Sequence, residues 1–262
     1  QILESKGNNF LAALSFYEDK AGVAFLDIST GEFYVAEGDL KYISKLIHDY
    51  SPSEILYARS NDSLFQDNFK TKAYTFRLDD WVFQKDFALE KLKQQFGTQS
   101  LKGFGISNMN SSIISAGAIL HYLTSAEHHN TSHVSSIQRI DRDNHVWMDD
   151  FTISNLELIN SANYNGHTLV EVLDQTSTAM GGRLLKKWLL FPLISSKKIN
   201  DRLDMVEYLI KDSKIHDFIK IQFSEIGDLE RMCSRLAVLK TNPRELNQLK
   251  KSLQLIVPLK DK

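Results

Sequence analysis

The stretch TLVEVLDQTSTAMGGRLLKKWLLFPL, Thr168 to Leu193, decides how the second half of the chain folds. It predicts a short helix ending near Asp174, then a polar break, then a second helix that starts at about Thr178. Pro192 ends that second helix, because proline cannot continue the hydrogen-bond ladder. Four apolar residues recur at helical spacing and predict one buried stripe: Leu184, Leu185, Trp188 and Leu189.

The first turn of this second helix has almost no side-chain bulk. Gly181 and Gly182 follow each other there, and each glycine costs about 1 kcal/mol relative to alanine inside a helix. Two such costs need a packing reason, so we expect another part of the backbone to approach closely at this turn. The opposite side of the helix carries the most basic cluster of the chain, which is either a set of phosphate contacts or a solvated helix face: Arg183, Lys186 and Lys187, with Lys197 and Lys198 nearby.

The residue pattern of this stretch closely resembles the core, or lever, domain of the MutS family of DNA mismatch-repair proteins. Further stretches are similar to other parts of that family, in the same order and spacing. Gly227–Arg231 with Ser234–Ala237 resembles a second core signature. The beginning and end of the family's connector domain are matched by Asn8–Ala13, Leu26–Phe33, Phe96–Thr98 and Gly103–Gly105.

The resemblance implies an α/β connector with a ribonuclease-H-like mixed sheet, followed by an all-α core domain. The residue patterns agree with this division. Strand signals at Phe10–Tyr17, 22–28 and 32–35 predict an antiparallel meander, followed by helices interleaved with further strands at 54–57 and 73–76. We expect the connector at residues 1–126, a linker at 127–136, and part of the core at 137–262. The linker is polar and lacks an apolar period, so we expect it to be mobile and to be cut first by proteases.

Bulk composition adds a few limits. The net charge is -2 with an acidic first half and a mildly basic last part, which is not the dense basic patch of a self-sufficient nucleic-acid binder. The single cysteine, Cys233, favours a reducing cytoplasm and reads as an inert buried thiol. No apolar run is long enough to span a bilayer. A chain that begins with Gln1 suggests a piece of a longer protein.

The resemblance also implies a function. An intact MutS protein binds mismatched double-stranded DNA, uses ATP and Mg²⁺, forms a homodimer and recruits MutL during DNA repair. This chain contains no Gly-Lys pair, and the phosphate loop that binds ATP requires one. We therefore expect no bound cofactor and no enzymatic activity in this fragment. We also expect no mismatch preference, because the family's mismatch-reading motif belongs to a domain that precedes the connector. Its expected role is to transmit conformational signals between the mismatch-binding, clamp and ATPase domains.

The helix predicted at 86–96 is the candidate partner surface for MutL. Its apolar residues form a narrow inward stripe, and four polar residues are expected to point outward from a rigid element, as at the rim of an interface. These residues are Glu90, Lys91, Lys93 and Gln94. The alternative is that they only keep the helix solvated.

Three other patterns are weaker candidates. Phe16-Tyr17-Glu18 has the form of the family's mismatch-reading motif, but its position favours a hairpin turn. Asp27, with Glu32 and Glu54 as companions, could suggest two-metal nuclease chemistry, although no clear carboxylate set emerges. The histidines at 121, 128, 129 and 133 could suggest a zinc site, but they lack zinc-type spacing and lie near no cysteine.

Two other functions stay open at this stage. One is a MutS paralogue that acts on recombination junctions without reading mismatches, which the residues preceding this chain would distinguish. The other is an active nuclease of the ribonuclease-H type, which metal-dependent cleavage of nucleic acid would reveal.

Overall fold

The computed structural model describes residues 5–125, 131–161, 163 and 166–260. By its contacts the chain divides into two compact units. One unit comprises residues 8–140, and the other comprises residues 1–7 together with 141–262. The chain therefore passes between the units twice, at 7/8 and at 140/141.

The first unit is an α/β sandwich. Its strands are β1 (Phe10–Tyr17), β2 (Lys20–Asp27), β3 (Glu32–Gly38), β4 (Glu54–Ala58), β5 (Tyr74–Leu78) and β6 (Gln138–Arg139). Its helices are α1 (Leu40–Tyr50), α2 (Asp62–Asn68), α3 (Lys85–Phe96) and α4 (Asn110–Ser125). The sheet order is β5-β4-β1-β2-β3-β6. Strands β1 to β3 form the expected antiparallel meander, whereas β4 is parallel to β1, β5 to β4 and β6 to β3.

The central strands are buried on both faces, because helices cover the sheet on both sides. Leu11 and Leu26 belong to one core, together with Ile113 and other residues of α4. On the opposite face, Phe25 stacks on Tyr50 at the end of α1, with ring centroids 4.4 Å apart. This two-sided burial explains why β1 and β2 are almost continuously apolar in sequence.

Helix α4 lies unusually close to β2. A Cβ atom on Gly22 would lie 2.2 Å from the backbone carbon of Ser111, so only glycine leaves room there. Ser115 Oγ donates a 3.0 Å hydrogen bond to the carbonyl of Gly22. Serines on the inner face of α4 are thus small enough for helix and strand to approach closely, and they form hydrogen bonds across the contact.

The structure divides the chain later than the sequence analysis expected. The first part of the expected linker, residues 127–130, lies outside the described residues. Its second part, residues 131–136, is described and belongs to the α/β unit. Val134 is buried in its core, and Gln95 Nε2 donates 2.9 Å hydrogen bonds to the carbonyls of Thr131 and Val134. Their polar composition resembles a linker because only one side chain in this segment, Val134, is buried.

The second unit is helical apart from an isolated bridge between His145 and Leu193. Its helices are α5 (Asp150–Asn155), α6 (Leu169–Leu173), α7 (Ala179–Leu190), α8 (Ser196–Lys211), α9 (Ser213–Glu225), α10 (Leu229–Ala237) and α11 (Pro243–Lys260). The polar residues before these helices act as N-caps, as their spacing predicts. Thr168 forms a capping box with Glu171, and Asn242 forms one with Glu245 at 2.9 and 3.1 Å. Among the described residues, no helix combines the length and apolar character needed to cross a membrane.

The apolar stripe on α7 is only partly buried, since Leu185 and Leu189 are half-buried and its other two members are exposed. Leu184 is 47% exposed and Trp188 is 41% exposed, whereas Gly182, Arg183 and Leu190 are buried. The buried side of α7 is set by ion pairs and by residues 5–7, which helical periodicity does not reveal. Trp188 is partly covered by Arg202, whose guanidinium carbon lies 3.6 Å from the ring centroid.

Candidate functional site

Helix α3 presents a polar face on a rigid support. Ala88 and Leu92 point into the core of the unit, and Glu90, Lys93 and Gln94 are exposed as expected. Lys91 differs from the expectation, because it is only half-exposed and its Nζ lies 5.7 Å from the ring centroid of Phe87. Its ammonium group therefore lies over the face of an aromatic ring, in the arrangement of a cation–π contact.

A groove of about 690 Å³ runs along this face of α3. It continues past the helix end, where Gly97 has a φ of 59° and closes the helix in the left-handed conformation. The groove therefore combines charged helix residues with backbone groups of the following loop. Its lining is Asp86, Leu89, Glu90, Lys93, Gln94, Gly97, Thr98 and Gln99.

Helix α3 cannot shift easily against α4. A Cβ atom on Gly117 of α4 would lie 2.5 Å from both the Cα and the Cβ of Ala88. Small residues on both helices thus allow the backbones to approach closely, and a close-packed contact of this kind has low compressibility. A ligand bound on the α3 face would meet a rigid surface.

Arg183 of α7 is the centre of an ion-pair network in the helical unit. Its Nη1 and Nη2 donate 2.8 Å hydrogen bonds to the two oxygens of Asp228, and Nη2 also donates to Glu230 at 2.5 Å. Nη1 further donates to the carbonyl of Ser5 at 3.0 Å. Because the Arg183 side chain is only 4% exposed, the expectation that it contacts phosphate is corrected: it is an internal ion-pair residue.

The same network anchors residues 5–7. Lys6 Nζ donates to Asp174 Oδ1 at 2.9 Å and to the carbonyl of Thr176 at 3.2 Å, and Arg231 Nη2 donates to the carbonyl of Gly7 at 2.6 Å. The stem of Lys6 crosses α7 so closely that a Cβ on Gly182 would lie 2.8 Å from it. The close approach expected at the paired glycines is thus made by a lysine side chain rather than by backbone.

The surroundings of Asp174 and Asp228 favour the charged form of each carboxylate. Burial raises the pKa of Asp174, but hydrogen bonds from Lys6 and Thr176 outweigh it and lower that pKa to about 2. Burial likewise opposes ionisation of Asp228, and the hydrogen bonds from Arg183 and the Arg231 backbone lower its pKa overall. The pKa of Arg183 is raised despite its burial, because Asp228 and Glu230 stabilise its charge. At neutral pH Asp174, Asp228 and Arg183 are therefore ionised.

The other basic residues near Arg183 do not join this network in the same way. Lys186 and Lys187 are half-exposed on α7, and Lys197 and Lys198 are exposed on α8. All four lysines thus remain accessible to solvent. A phosphate-binding role for Lys186 and Lys187 stays a prediction.

The three acids considered for metal chemistry are each held by other groups. Asp27 is fully buried and accepts hydrogen bonds from the Asn8 side chain, the Asn9 backbone, and the backbone and hydroxyl of Ser29. Glu32 accepts from Tyr34 at 2.6 Å. Glu54 accepts from Tyr122 at 2.8 Å, and burial together with this bond raises the pKa of Tyr122 to about 12. Asp27 therefore organises the turn after β2.

The remaining candidates are resolved by position. Tyr17 pairs with Lys20 across the β1–β2 turn, and Glu18 has a φ of 55°, so the hairpin interpretation of Phe16-Tyr17-Glu18 is confirmed. His128 and His129 lie outside the described residues, while His121 packs against Trp81 and His133 contacts the carbonyl of Ile28. No group of three metal-binding side chains occurs among the residues that the structure describes. Cys233 is exposed, so its expected burial is wrong.

Comparison with known families agrees with the two structural units. The family model described as MutS domain II matches residues 9–135, and the model described as MutS domain III matches residues 151–262. Three similar relatives are named DNA mismatch repair protein MutS. The relative from Phocaeicola vulgatus is 47% identical over 260 residues, which is 99% of this chain. The relatives from Bacteroides thetaiotaomicron and Flavobacterium psychrophilum are 49% identical over 259 residues and 46% over 261 residues, covering 99% and 100% of this chain.

The chain spans about 30% of the length of each of these relatives. The two family models follow each other along the chain in the order that the fold shows, an α/β unit and then a helical unit. The alignment with each of these relatives extends over nearly the whole chain. This chain therefore belongs to the MutS family of DNA mismatch-repair proteins, of which it carries domains II and III.

Proposed function

We propose that this chain transmits conformational signals within a MutS protein, between its mismatch-binding, clamp and ATPase domains. The observation that carries the proposal is the double connection between the units. The chain enters the α/β unit at residue 8 and leaves it at residue 140, and residues 5–7 are tied to α6–α7 and α10 by Lys6, Arg183 and Arg231. A displacement of the chain at either crossing would therefore act on the helical unit.

The activities of the intact protein are part of the same proposal and rest on family membership. The parent binds mismatched double-stranded DNA, uses ATP with Mg²⁺, forms a homodimer and acts in the cytoplasm. The fragment itself carries no catalysis, since the sequence has no Gly-Lys pair for a phosphate loop. Two measurements on the isolated fragment would test the absence of ATP binding and of mismatch recognition. One is calorimetric titration with ATP, and the other compares its affinity for mismatched and matched DNA at physiological salt.

The face of α3 is the proposed docking surface for MutL. Its exposed residues carry both signs of charge beside a groove of about 690 Å³, and its backbone is held against α4 at Gly117. Exposed polar groups on a rigid element can bind a partner without a cost of reordering. Glu90, Lys93 and Gln94 line this groove, and the half-exposed Lys91 beside them completes the proposed set of recognition residues.

The test is a charge reversal in the full-length protein at two exposed residues that line the groove, Glu90→Lys together with Lys93→Glu. Net charge stays the same and exposed substitutions change stability by only about 0.5 kcal/mol, so the fold should remain intact. MutL affinity should fall about tenfold or more, as expected when central contact residues are reversed, and mismatch binding should be unchanged.

The matched control is Glu207→Lys with Lys211→Glu. These two residues form an exposed ion pair on α8, and reversing them also leaves the net charge unchanged. Unaltered MutL affinity in the α3 variant, measured by surface plasmon resonance, would place the docking face elsewhere on the α/β unit. Equal losses in both variants would indicate an indirect effect.

A paralogue acting on recombination junctions is the weaker proposal, because the relatives described above are named for mismatch repair. A nuclease of the ribonuclease-H type is also weaker, since Asp27, Glu32 and Glu54 are each hydrogen-bonded within the fold.

A further inference from the structure

The charges that line the groove along α3 are unevenly arranged. The two carboxylates, Asp86 and Glu90, lie toward the start of the helix, whereas Lys93 and the amide side chains of Gln94 and Gln99 lie toward its end and beyond it. Within the part of the chain that the structure describes, the side chains of Asp86, Glu90 and Lys93 form no hydrogen bond and no ion pair. The acidic end of the groove is therefore not neutralised by the fold.

The position of Glu90 on the helix costs stability. Asp86 lies in the first turn of α3, where the helix dipole stabilises a negative charge. Glu90 lies one turn later, beyond the reach of that effect, and four residues from a charge of the same sign. Like charges at this spacing destabilise a helix. A cation that binds from outside the chain would offset this repulsion.

The acidic end also has an apolar floor. Leu89 is half-buried and lines the groove beside both carboxylates. Residues four apart on a helix have Cβ atoms about 5–6 Å apart, so one cation can contact Asp86 and Glu90 together. Lysine and arginine bury their aliphatic stems on apolar surface while the charged head stays outside. Arginine matches this site best, because its planar guanidinium has five N–H donors and can bridge two carboxylates.

We propose that the acidic end of the groove binds a basic side chain of MutL, with arginine the best match, seated on Leu89 between the carboxylates of Asp86 and Glu90. The proposal rests on the proposed function, in which MutL docks on the α3 face, and it adds the chemistry of the contact. Lys93 lines the same groove and has the same sign as the bound side chain. It therefore confines the basic group to the end of the groove near the start of α3.

Neutralising the charges one at a time in the full-length protein tests this polarity. Asp86→Asn and Glu90→Gln keep the size of each side chain and remove its charge. Each should raise the dissociation constant for MutL about tenfold, which corresponds to losing one charge-assisted hydrogen bond, and should make binding less sensitive to salt. Lys93→Gln should lower the dissociation constant about threefold, because it removes a repulsive charge at the surface.

Asp67→Asn is the matched control. Asp67 is an exposed carboxylate on α2 of the same unit, and its neutralisation changes the net charge by the same amount. It should leave the MutL affinity unchanged in surface plasmon resonance, with all variants melting like the wild type by circular dichroism. A loss for Asp67→Asn equal to that for Asp86→Asn would trace the effect to overall charge and would overturn the proposal.

The remaining outcomes separate this proposal from the docking proposal on which it rests. Weaker binding by Lys93→Gln with tighter binding by Asp86→Asn and Glu90→Gln would mean that the bound group is acidic, so that the basic contact is wrong while docking on α3 stands. Unchanged affinity in both carboxylate variants also refutes the basic contact. In that case the Glu90→Lys, Lys93→Glu reversal decides about docking: a loss of affinity keeps MutL on this face, and no loss removes it.

Discussion

Arg183 joins three separate segments of the helical unit through one guanidinium group. It contacts the carbonyl of Ser5, and both Asp228 and Glu230 at the start of α10. Removing one partner of a buried ion pair leaves an uncompensated charge and costs about 3–5 kcal/mol. The geometry is bidentate toward Asp228, which a lysine could not reproduce. The residue is therefore important for anchoring residues 5–7.

The carboxylate of Asp174 makes that anchor sensitive to acid. Its pKa is lowered from 3.8 to about 2 in the folded chain, because hydrogen bonds from Lys6 and Thr176 outweigh the effect of burial. A lowered pKa means that the stabilisation is present above pH 3.8 and is lost as the pH falls through about 2. Asp174→Asn should therefore lower the free energy of unfolding at pH 7 and flatten its dependence on pH between 3.8 and 2.

Urea unfolding of the helical unit at a series of pH values measures this effect. Asp204→Asn on α8 is the control, since Asp204 is exposed and its replacement should leave the profile unchanged. A profile for Asp174→Asn that is parallel to the wild type across this range would contradict the role given to the Lys6 contact.

The roles of individual residues were harder to predict from the sequence than the positions of the helices and strands. Helical periodicity assigns Arg183 to the polar face of α7, but it cannot show that two carboxylates 45 and 47 residues later lie against that face. Gly181 and Gly182 did indicate close packing correctly, because two adjacent glycines in a helix are costly without it. The polar exposure of Glu90, Lys93 and Gln94 was also predictable, since the inward residues of α3 are local and periodic.

At the scale of the elements, the contact between α4 and β2 should tolerate no added atom. Gly22→Ala should destabilise the α/β unit by about 3 kcal/mol, because the new methyl group would meet the backbone of Ser111 rather than a movable side chain. Gly103→Ala is the matched control, since nothing lies within 4 Å of its added Cβ. Urea midpoints by circular dichroism compare the two, and equal midpoints would show that α4 can move away from the sheet.

Element positions followed from sequence wherever periodicity and capping agreed. The meander, α3, α6 and α7 all lie where alternation, apolar spacing and N-cap residues predict them. Strand β6 could not be predicted, because Gln138–Arg139 is only two residues long and polar. It exists because its backbone completes the ladder beside Tyr34 and Val35, a contact between distant segments.

For the whole molecule, the structure predicts where the chain can be divided. Residues 131–140 contribute to the α/β unit through the buried side chains of Val134 and Ile137 and through the hydrogen bonds from Gln95. A fragment of residues 8–140 should therefore unfold cooperatively as a domain. A fragment of residues 8–126, the boundary suggested by composition, loses two buried apolar side chains, each worth about 1.5–3 kcal/mol.

Comparing the urea midpoints of these two fragments tests the division. The shorter fragment should be less stable by about 3 kcal/mol or more, and its exposed core should bind a hydrophobic dye. A third fragment, residues 8–140 with Gln95→Ala, separates the causes. It removes the hydrogen bonds that Gln95 donates to the carbonyls of Thr131 and Val134 and the one it accepts from the Thr131 hydroxyl, but keeps the buried side chains, so its midpoint should lie between the other two. Equal midpoints for 8–126 and 8–140 would mean that residues 127–140 behave as a linker after all, and that the α/β unit ends with α4.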